Sequence, residues 1–429
     1  MKVAVLGGGY AGMAAAVTLA ERGIPVTVYE AAAHLGGRAR RVDYRGAVLD
    51  NGLHVLLGAC SELLRLVAMV NGSEERTLLR LPLEWRMHGK FRMRVPAFPA
   101  PLHLAAALLS ARGVSLSARL AAMRFGRFLR ASKYRLEPDV SVAQLLARHR
   151  QHPDMVRYLW RPLCVSALNT PIDQASAATF LHVLRDGLDA AAANSDVLVA
   201  RRDLTSLFPE PAAQYVRDRG GVILLAHTVA QLLHKDGAYC VLSHGEHSEY
   251  THVICALSPH RLRPVISGLP ELGDVAKTVA RFEYQPIYSV YLQFREPVRL
   301  PAPMVGIAGG IAHWVFDREA ICGQPGLVAA VISAAGPHQD LTQDELAAQV
   351  QADVERCFGP LPALQWHRVI AEKRASFACT VDIRRPASET ALAGFRLAGD
   401  YVAGDYPATL EGAVRSGVRA ARAMIDAAR

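Results

Sequence analysis

The chain has 429 residues, 51% of them hydrophobic, and 48 Lys and Arg against 39 Asp and Glu give a formal charge of +9. That length exceeds one typical domain, and the composition excludes a disordered polar tail and a small disulfide scaffold. A surplus of +9 suits nucleic acid, an anionic membrane surface or an acidic cofactor, so its distribution has to decide among them.

The first residues are the most informative. Lys2 to Leu6 is an apolar, β-branched strand, Gly7-Gly8-Gly9-Tyr10-Ala11-Gly12 a turn, Met13 to Arg22 an alanine-rich helix closed by Gly23, and Pro25 to Tyr29 a second strand ending at Glu30. The spacing Gly7-x-Gly9-x-x-Gly12 lets the backbone turn tightly and approach a pyrophosphate at a helix N-terminus. Glu30, eighteen residues past Gly12, is placed to take ribose hydroxyls, which argues for a dinucleotide without a 2′-phosphate. The glycine motif starts so close to Met1 that residue 2 onward is expected to be structure rather than a cleavable signal.

Further along, Leu35-Gly36-Gly37-Arg38-Ala39 is followed by Leu49-Asp50-Asn51-Gly52-Leu53-His54. Gly220 to Val229 reads as a glycine turn into a strand, and Thr251 to Pro259 as another strand. Near the end a strand closes on Gly399-Asp400, and a helix with small residues on one face is expected from about Ala408. Seven scattered cysteines contain no CxxC pair, so neither a disulfide framework nor a metal site is expected, and a reducing compartment fits. The uncharged runs 95–111, 300–316 and 320–339 are each broken by proline, so no membrane span is expected.

The charge is concentrated. Residues 76–161 hold 17 basic and four acidic side chains, a surplus of +13 that leaves −4 for the remainder. Arg119 to Arg130 interleaves arginines with apolar residues at helical spacing, after a proline-punctuated apolar segment ending near Leu109. Two readings stay open: a solvated basic face over a core, or a peripheral contact of residues 80–135 with anionic lipid. Nucleic acid is disfavoured, because no nucleic-acid-binding motif accompanies the charge.

Taken together, the glycine motif, Gly36-Gly37-Arg38 and Gly399-Asp400 resemble the FAD-dependent amine oxidase and carotenoid desaturase superfamily. The resemblance implies an α/β fold: a Rossmann-like FAD-binding domain assembled from 1–75, 195–280 and 385–429, with an inserted α+β substrate domain from 76–194 and 281–384. It implies cofactor contacts from Gly7, Gly9, Ala11, Gly12, Glu30, Gly37, Arg38, Gly52, Leu53, His54, Val229, Gly399, Asp400, Thr409 and Leu410. Arg38 would meet the flavin-side phosphate or ribityl chain, the backbone of Val229 the adenine, and the last helix would aim its positive end at the flavin pyrimidine.

Within that superfamily, Leu83 to Gly89, Leu159 to Cys164, Ala167 to Pro171, Leu207 to Pro211, His313 to Arg318 and Leu397 to Gly412 are similar to the squalene-associated desaturases, or hydroxysqualene dehydroxylases. This implies reductive removal of an allylic hydroxyl from a C30 isoprenoid, yielding squalene for hopanoid synthesis, with an electron donor not identified. The closing motif also resembles carotene desaturases, so a carotenoid-type desaturase stays open, as does a non-catalytic prenyl-lipid carrier on the same fold. His54, oriented by Asp50, is the first candidate acid, Asp405 and Tyr406 are second candidates, and Asn169 and Trp314 are expected to line the substrate pocket. A cytoplasmic protein, peripheral on the inner face of the membrane, is the expected location.

Overall fold

The computed structural model describes residues 1–189 and 191–427. Its first layer is a five-stranded, all-parallel sheet in the order Val222–Leu224, Val26–Tyr29, Val3–Leu6, His252–Cys255, Phe395–Leu397. We call Val3–Leu6 β1, Tyr10–Ala20 α1 and Val26–Tyr29 β2. A parallel sheet has to be covered on both faces, and the apolar runs VAVL and HVIC meet that requirement. Every residue of α1 is buried. It packs against the closing helix Leu410–Ala427 and the helix Pro209–Arg217, and its run of alanines permits the close approach.

The helix α1 starts three residues earlier than the sequence reading placed it, inside the glycine motif. A Cβ on Gly12 would come within 1.9 Å of the Gly7 carbonyl oxygen, so hydrogen at this position is what lets the first turn of α1 sit on the end of β1. Gly7 itself has φ +106, and a Cβ there would meet the Ala256 carbonyl at 2.8 Å. The stretch after Gly221 also differs from expectation. Its strand stops at Leu224, Ala226 turns the chain at φ +57, and Val229 opens a separate antiparallel sheet of Val229–Lys235, Ala238–Ser243 and Glu246–Tyr250.

The second layer is a seven-stranded sheet in the order Leu364–Phe377, Tyr284–Phe294, Leu327–Ser333, Trp314–Asp317, Met304–Gly306, Glu84–Met87, Phe91–Arg94. It is antiparallel except where Gly306 meets Met87. Strand alternation divides its side chains. Val290, Leu292, Val315, Val328 and Ala330 pack on the helix Gln343–Phe358, while Tyr291, Trp314, Phe316 and Val331 enter the large core shared with the helices of the insert.

The expected boundary at residue 76 does not separate the two layers. Strand Leu78–Leu81 pairs with Val197–Ala200, which also pairs with Val55–Leu57, and Leu78, Leu198 and Leu56 share the core beneath α1. Two helices, Leu102–Ser110 and Leu116–Ala131, form a hairpin on the insert. No helix among the described residues is long and apolar enough to cross a membrane.

Candidate active site

The dinucleotide motif converges at the C-terminal ends of β1 and β2. The N-terminus of α1 carries no side-chain cap and no acidic residue in its first turn, so its N–H groups and dipole are left for an anion. Gly9 bridges to Gly36, and a Cβ on Gly37 would stand 3.3 Å from the Gly9 Cα, so both glycine motifs form one cradle floored by backbone. Glu30 closes the far side, accepting from the N–H groups of Gly8 at 2.7 Å and Ala32 at 2.8 Å. The backbone from Leu224 to His227 runs beside it, with Glu30 N–H on Leu224 and His227 N–H on Glu30, and this brings Val229 to the same end.

Arg38 and Asp400 come together from 362 residues apart in a 2.7 Å ion pair, and the guanidinium also donates to the Ala375 carbonyl at 2.7 Å. Burial alone would lower the Arg38 pKa, but the carboxylates of Asp400 and Glu372 outweigh it and hold it above the ordinary arginine value. Each group keeps further donor or acceptor positions for a polar ligand. Asn51 extends the cluster, donating to the Arg38 carbonyl at 2.9 Å and to Glu372 at 3.2 Å. Neither Asn51 nor Glu372 belonged to the predicted set, since Glu372 sits in a strand without any motif. Gly399 has φ +149 and stacks so closely on Tyr401 that a Cβ would meet the ring at 2.6 Å. The buried Tyr401 hydroxyl has no hydrogen-bond partner among the described residues.

Thr409 caps the closing helix by accepting from Gly412 at 3.1 Å, and Leu410 begins it. The buried Glu411 reaches across to accept from the N–H groups of Glu62 and Leu63, which seats the start of the helix Ser61–Asn71. Glycines in place of side chains, an uncapped helix start, an acid at the end of β2 and a half-buried Arg–Asp pair suit a dinucleotide with a flavin at its far end.

The candidate acids are arranged differently from expectation. Asp50 does not orient His54: its carboxylate accepts from Leu204 N–H at 2.8 Å and lies 3.9 Å from the buried Arg318. Burial pushes Asp50 up to about 7, against the pull of Arg318 and Leu204 N–H. His54 is driven down to about 4 by burial and by the Arg38 charge, so its imidazole is neutral at neutral pH. Asp405 is exposed, and its backbone carbonyl rather than its carboxylate meets His182. The Tyr406 hydroxyl donates to Asp186 at 2.9 Å, and the Arg385 guanidinium holds the carbonyls of Gly404 and Tyr406.

Asn169 is a strut rather than a pocket wall. In a left-handed conformation, it donates to Ser376 at 2.9 Å and accepts from Ala334 at 2.7 Å, joining three segments of the second layer. Trp314 does line a cavity. A cleft of about 730 Å³ in the insert is walled by Leu146, Val165, Ile307 and Trp314, with Arg157 and Arg161 among its lining groups. The Trp314 ring is fixed by an edge contact with Trp85 at 4.8 Å and by donation to Ser166 at 2.9 Å. Its size falls within the range of small-molecule sites.

Fold and site together define an FAD-dependent oxidoreductase. The family model for flavin containing amine oxidoreductase matches residues 10–425, and the chain belongs to that family. It is 30% identical to the hydroxysqualene dehydroxylase of Rhodopseudomonas palustris, across 100% of this chain and 99% of that protein. It is 24% identical to the zeta-carotene desaturase of Arabidopsis thaliana, across 100% of this chain and 86% of that protein. Among solved structures, a putative protoporphyrinogen oxidase from Exiguobacterium superposes with a TM-score of 0.71 at 17% identity, covering 100% of this chain and 99% of that one.

Proposed function

We propose that the chain removes the allylic hydroxyl of hydroxysqualene reductively, giving squalene. The observation that carries this reading is the full-length similarity to the hydroxysqualene dehydroxylase of Rhodopseudomonas palustris. The reaction breaks one C–O bond and makes one C–H bond; the substrate gains a hydride, and the departing hydroxyl takes a proton and leaves as water. When bound, FAD supplies the two-electron chemistry.

The protein's own residues supply position and dryness. The glycine cradle, Glu30 and the Arg38–Asp400 pair would hold the cofactor's polar groups. The mainly apolar cleft walled by Trp314 suits the isoprenoid chain, whose burial would keep water from a developing allylic cation. His54, kept neutral, enters as an N–H donor to the leaving hydroxyl rather than as an ionised acid. Replacing it by asparagine retains a donor, whereas alanine does not. His54→Ala should therefore lower kcat by roughly ten- to a hundredfold, and His54→Asn by less.

The deciding experiment incubates reduced, flavin-loaded protein anaerobically with hydroxysqualene and, separately, oxidised protein with phytoene. Squalene from the first supports the proposal. New conjugated double bonds from phytoene, with no squalene from hydroxysqualene, overturn it in favour of a carotenoid-type desaturation, the reading that the full-length similarity to zeta-carotene desaturase favours.

A further inference from the structure

Large apolar side chains are exposed unevenly. Among the described residues nine are exposed, and five of them, Phe98, Leu102, Leu109, Leu116 and Leu120, lie within 23 consecutive residues at 43–62% exposure. Burying those five elsewhere in the fold was open to the sequence, since the inner face of the same hairpin holds Ala118, Ala121, Ala122, Phe125 and Leu129. A patch of this kind marks a surface that meets something apolar.

The charge around the patch is one-signed. The 52 residues between Glu84 and Glu137 contain eleven Lys or Arg and no acid. On the helix Leu116–Ala131, Leu116, Leu120, Arg124 and Arg127 are all exposed and follow one another at intervals of four, four and three, which places them in a single outward stripe. Neither Arg124 nor Arg127 forms an ion pair among the described residues. From Leu120 the helical rise puts Arg124 about 6 Å and Arg127 about 10 Å farther along the axis. A bilayer offers the same sequence of environments, with anionic headgroups outside the acyl boundary.

We infer that the hairpin of Leu102–Ser110 and Leu116–Ala131 seats the protein on an anionic bilayer, leucines and Phe98 at the acyl boundary and Arg124 and Arg127 among the phosphates. The inner face of the same helix holds the wall of the cleft. Gln151, a lining residue, donates to the Ala121 carbonyl at 3.0 Å, and Trp160 packs edge-on against Phe125 at 5.5 Å. A hydrocarbon leaving the bilayer therefore has only about one helix diameter, roughly 10 Å, between patch and cleft.

The test is flotation of the flavin-loaded full chain with vesicles of phosphatidylcholine, with and without phosphatidylglycerol. Binding should require the anionic lipid and weaken with salt. Leu116→Ser with Leu120→Ser should lower the bound fraction by about tenfold per leucine, and Arg124→Gln with Arg127→Gln by roughly fivefold per arginine, with a shallower salt dependence. All four side chains are exposed, so flavin absorbance and thermal midpoint should match the parent, and the arginine pair still decides if the leucine pair misfolds. Binding that ignores lipid charge, variants that bind like the parent, or no binding at all overturns the proposal. So does a lipid-free dimer in sedimentation velocity that the leucine substitutions dissolve, which would make a second copy the occupant. Vesicle binding is read without turnover, so failure of the dehydroxylation reading leaves this test intact.

Discussion

In the parallel-sheet layer, the groups that would face the cofactor are mostly backbone, aimed by glycines whose missing Cβ atoms make room, with one ion pair joining residues 38 and 400. In the antiparallel layer and its insert, an apolar cleft of about 730 Å³ is shaped by large side chains, and Asn169, expected to line it, acts as a strut instead. The first arrangement tolerates almost no added atom, because backbone cannot give way. The second rests on packing, where neighbours adjust and single changes cost less.

That contrast can be broken in graded steps. The largest effect is expected from Gly12→Val, whose Cβ would collide with the Gly7 carbonyl. Overpacking of about 3 kcal/mol or more corresponds to at least roughly a hundredfold loss of flavin affinity, read as absorbance retained after gel filtration. Next comes Arg38→Met, which leaves Asp400 buried without its partner. About 2–4 kcal/mol of stability should go, measured by urea denaturation, and the double variant Arg38→Met with Asp400→Asn should recover part of it. If the double variant is no better than the single one, the pair does not act as a unit.

Acid titration compares the layers directly. His54 on the first and His313 on the second both sit at about 4 when folded, below the ordinary value of 6.5, through burial first and then Arg38 or His338 respectively. The unfolded chain takes these protons first, so each histidine's contribution is present above about 6.5 and is lost as pH falls toward 4. Asp50 acts oppositely: raised to about 7, it favours the fold at low pH and loses that advantage as pH rises through about 4 to 7. His313→Asn should therefore flatten the fall in thermal midpoint between pH 6.5 and 4, and Asp50→Asn should steepen it. The smallest effect, about 1 kcal/mol or less, is expected from Ser166→Ala, which removes only the partner of the Trp314 indole N–H; thermal melting reads it.

The legibility of the two layers in the sequence differs for the same physical reason. Gly7, Gly12, Gly37 and Glu30 announce themselves because turns and close approaches demand particular residue types at fixed spacing. Asn51 and Glu372 join the same cluster unannounced, since a hydrogen-bonding side chain on a strand carries no local signature. Asp50 looked like a partner for His54 because they are four residues apart, but the strand Ala47–Asp50 ends there and turns its carboxylate toward Leu204 and Arg318. Asn169 and Trp314 were equally plausible pocket residues. Only the fold reveals that one has spent its hydrogen bonds on Ser376 and Ala334 while the other faces open space.

The burial of α1 has a consequence for how the protein is made. All eleven residues of this helix are covered, and the helix packed most extensively against it, Leu410–Ala427, is synthesised about 390 residues after it. The parallel sheet likewise lacks an edge until Phe395–Leu397 is synthesised. At about 5–20 residues per second, the nascent chain waits on the order of 20–80 s with an apolar helix and an unfinished sheet exposed. Flavin capture therefore has to follow synthesis of Phe395–Leu397 and Leu410–Ala427, and the chain that lacks them is the form that most needs a chaperone.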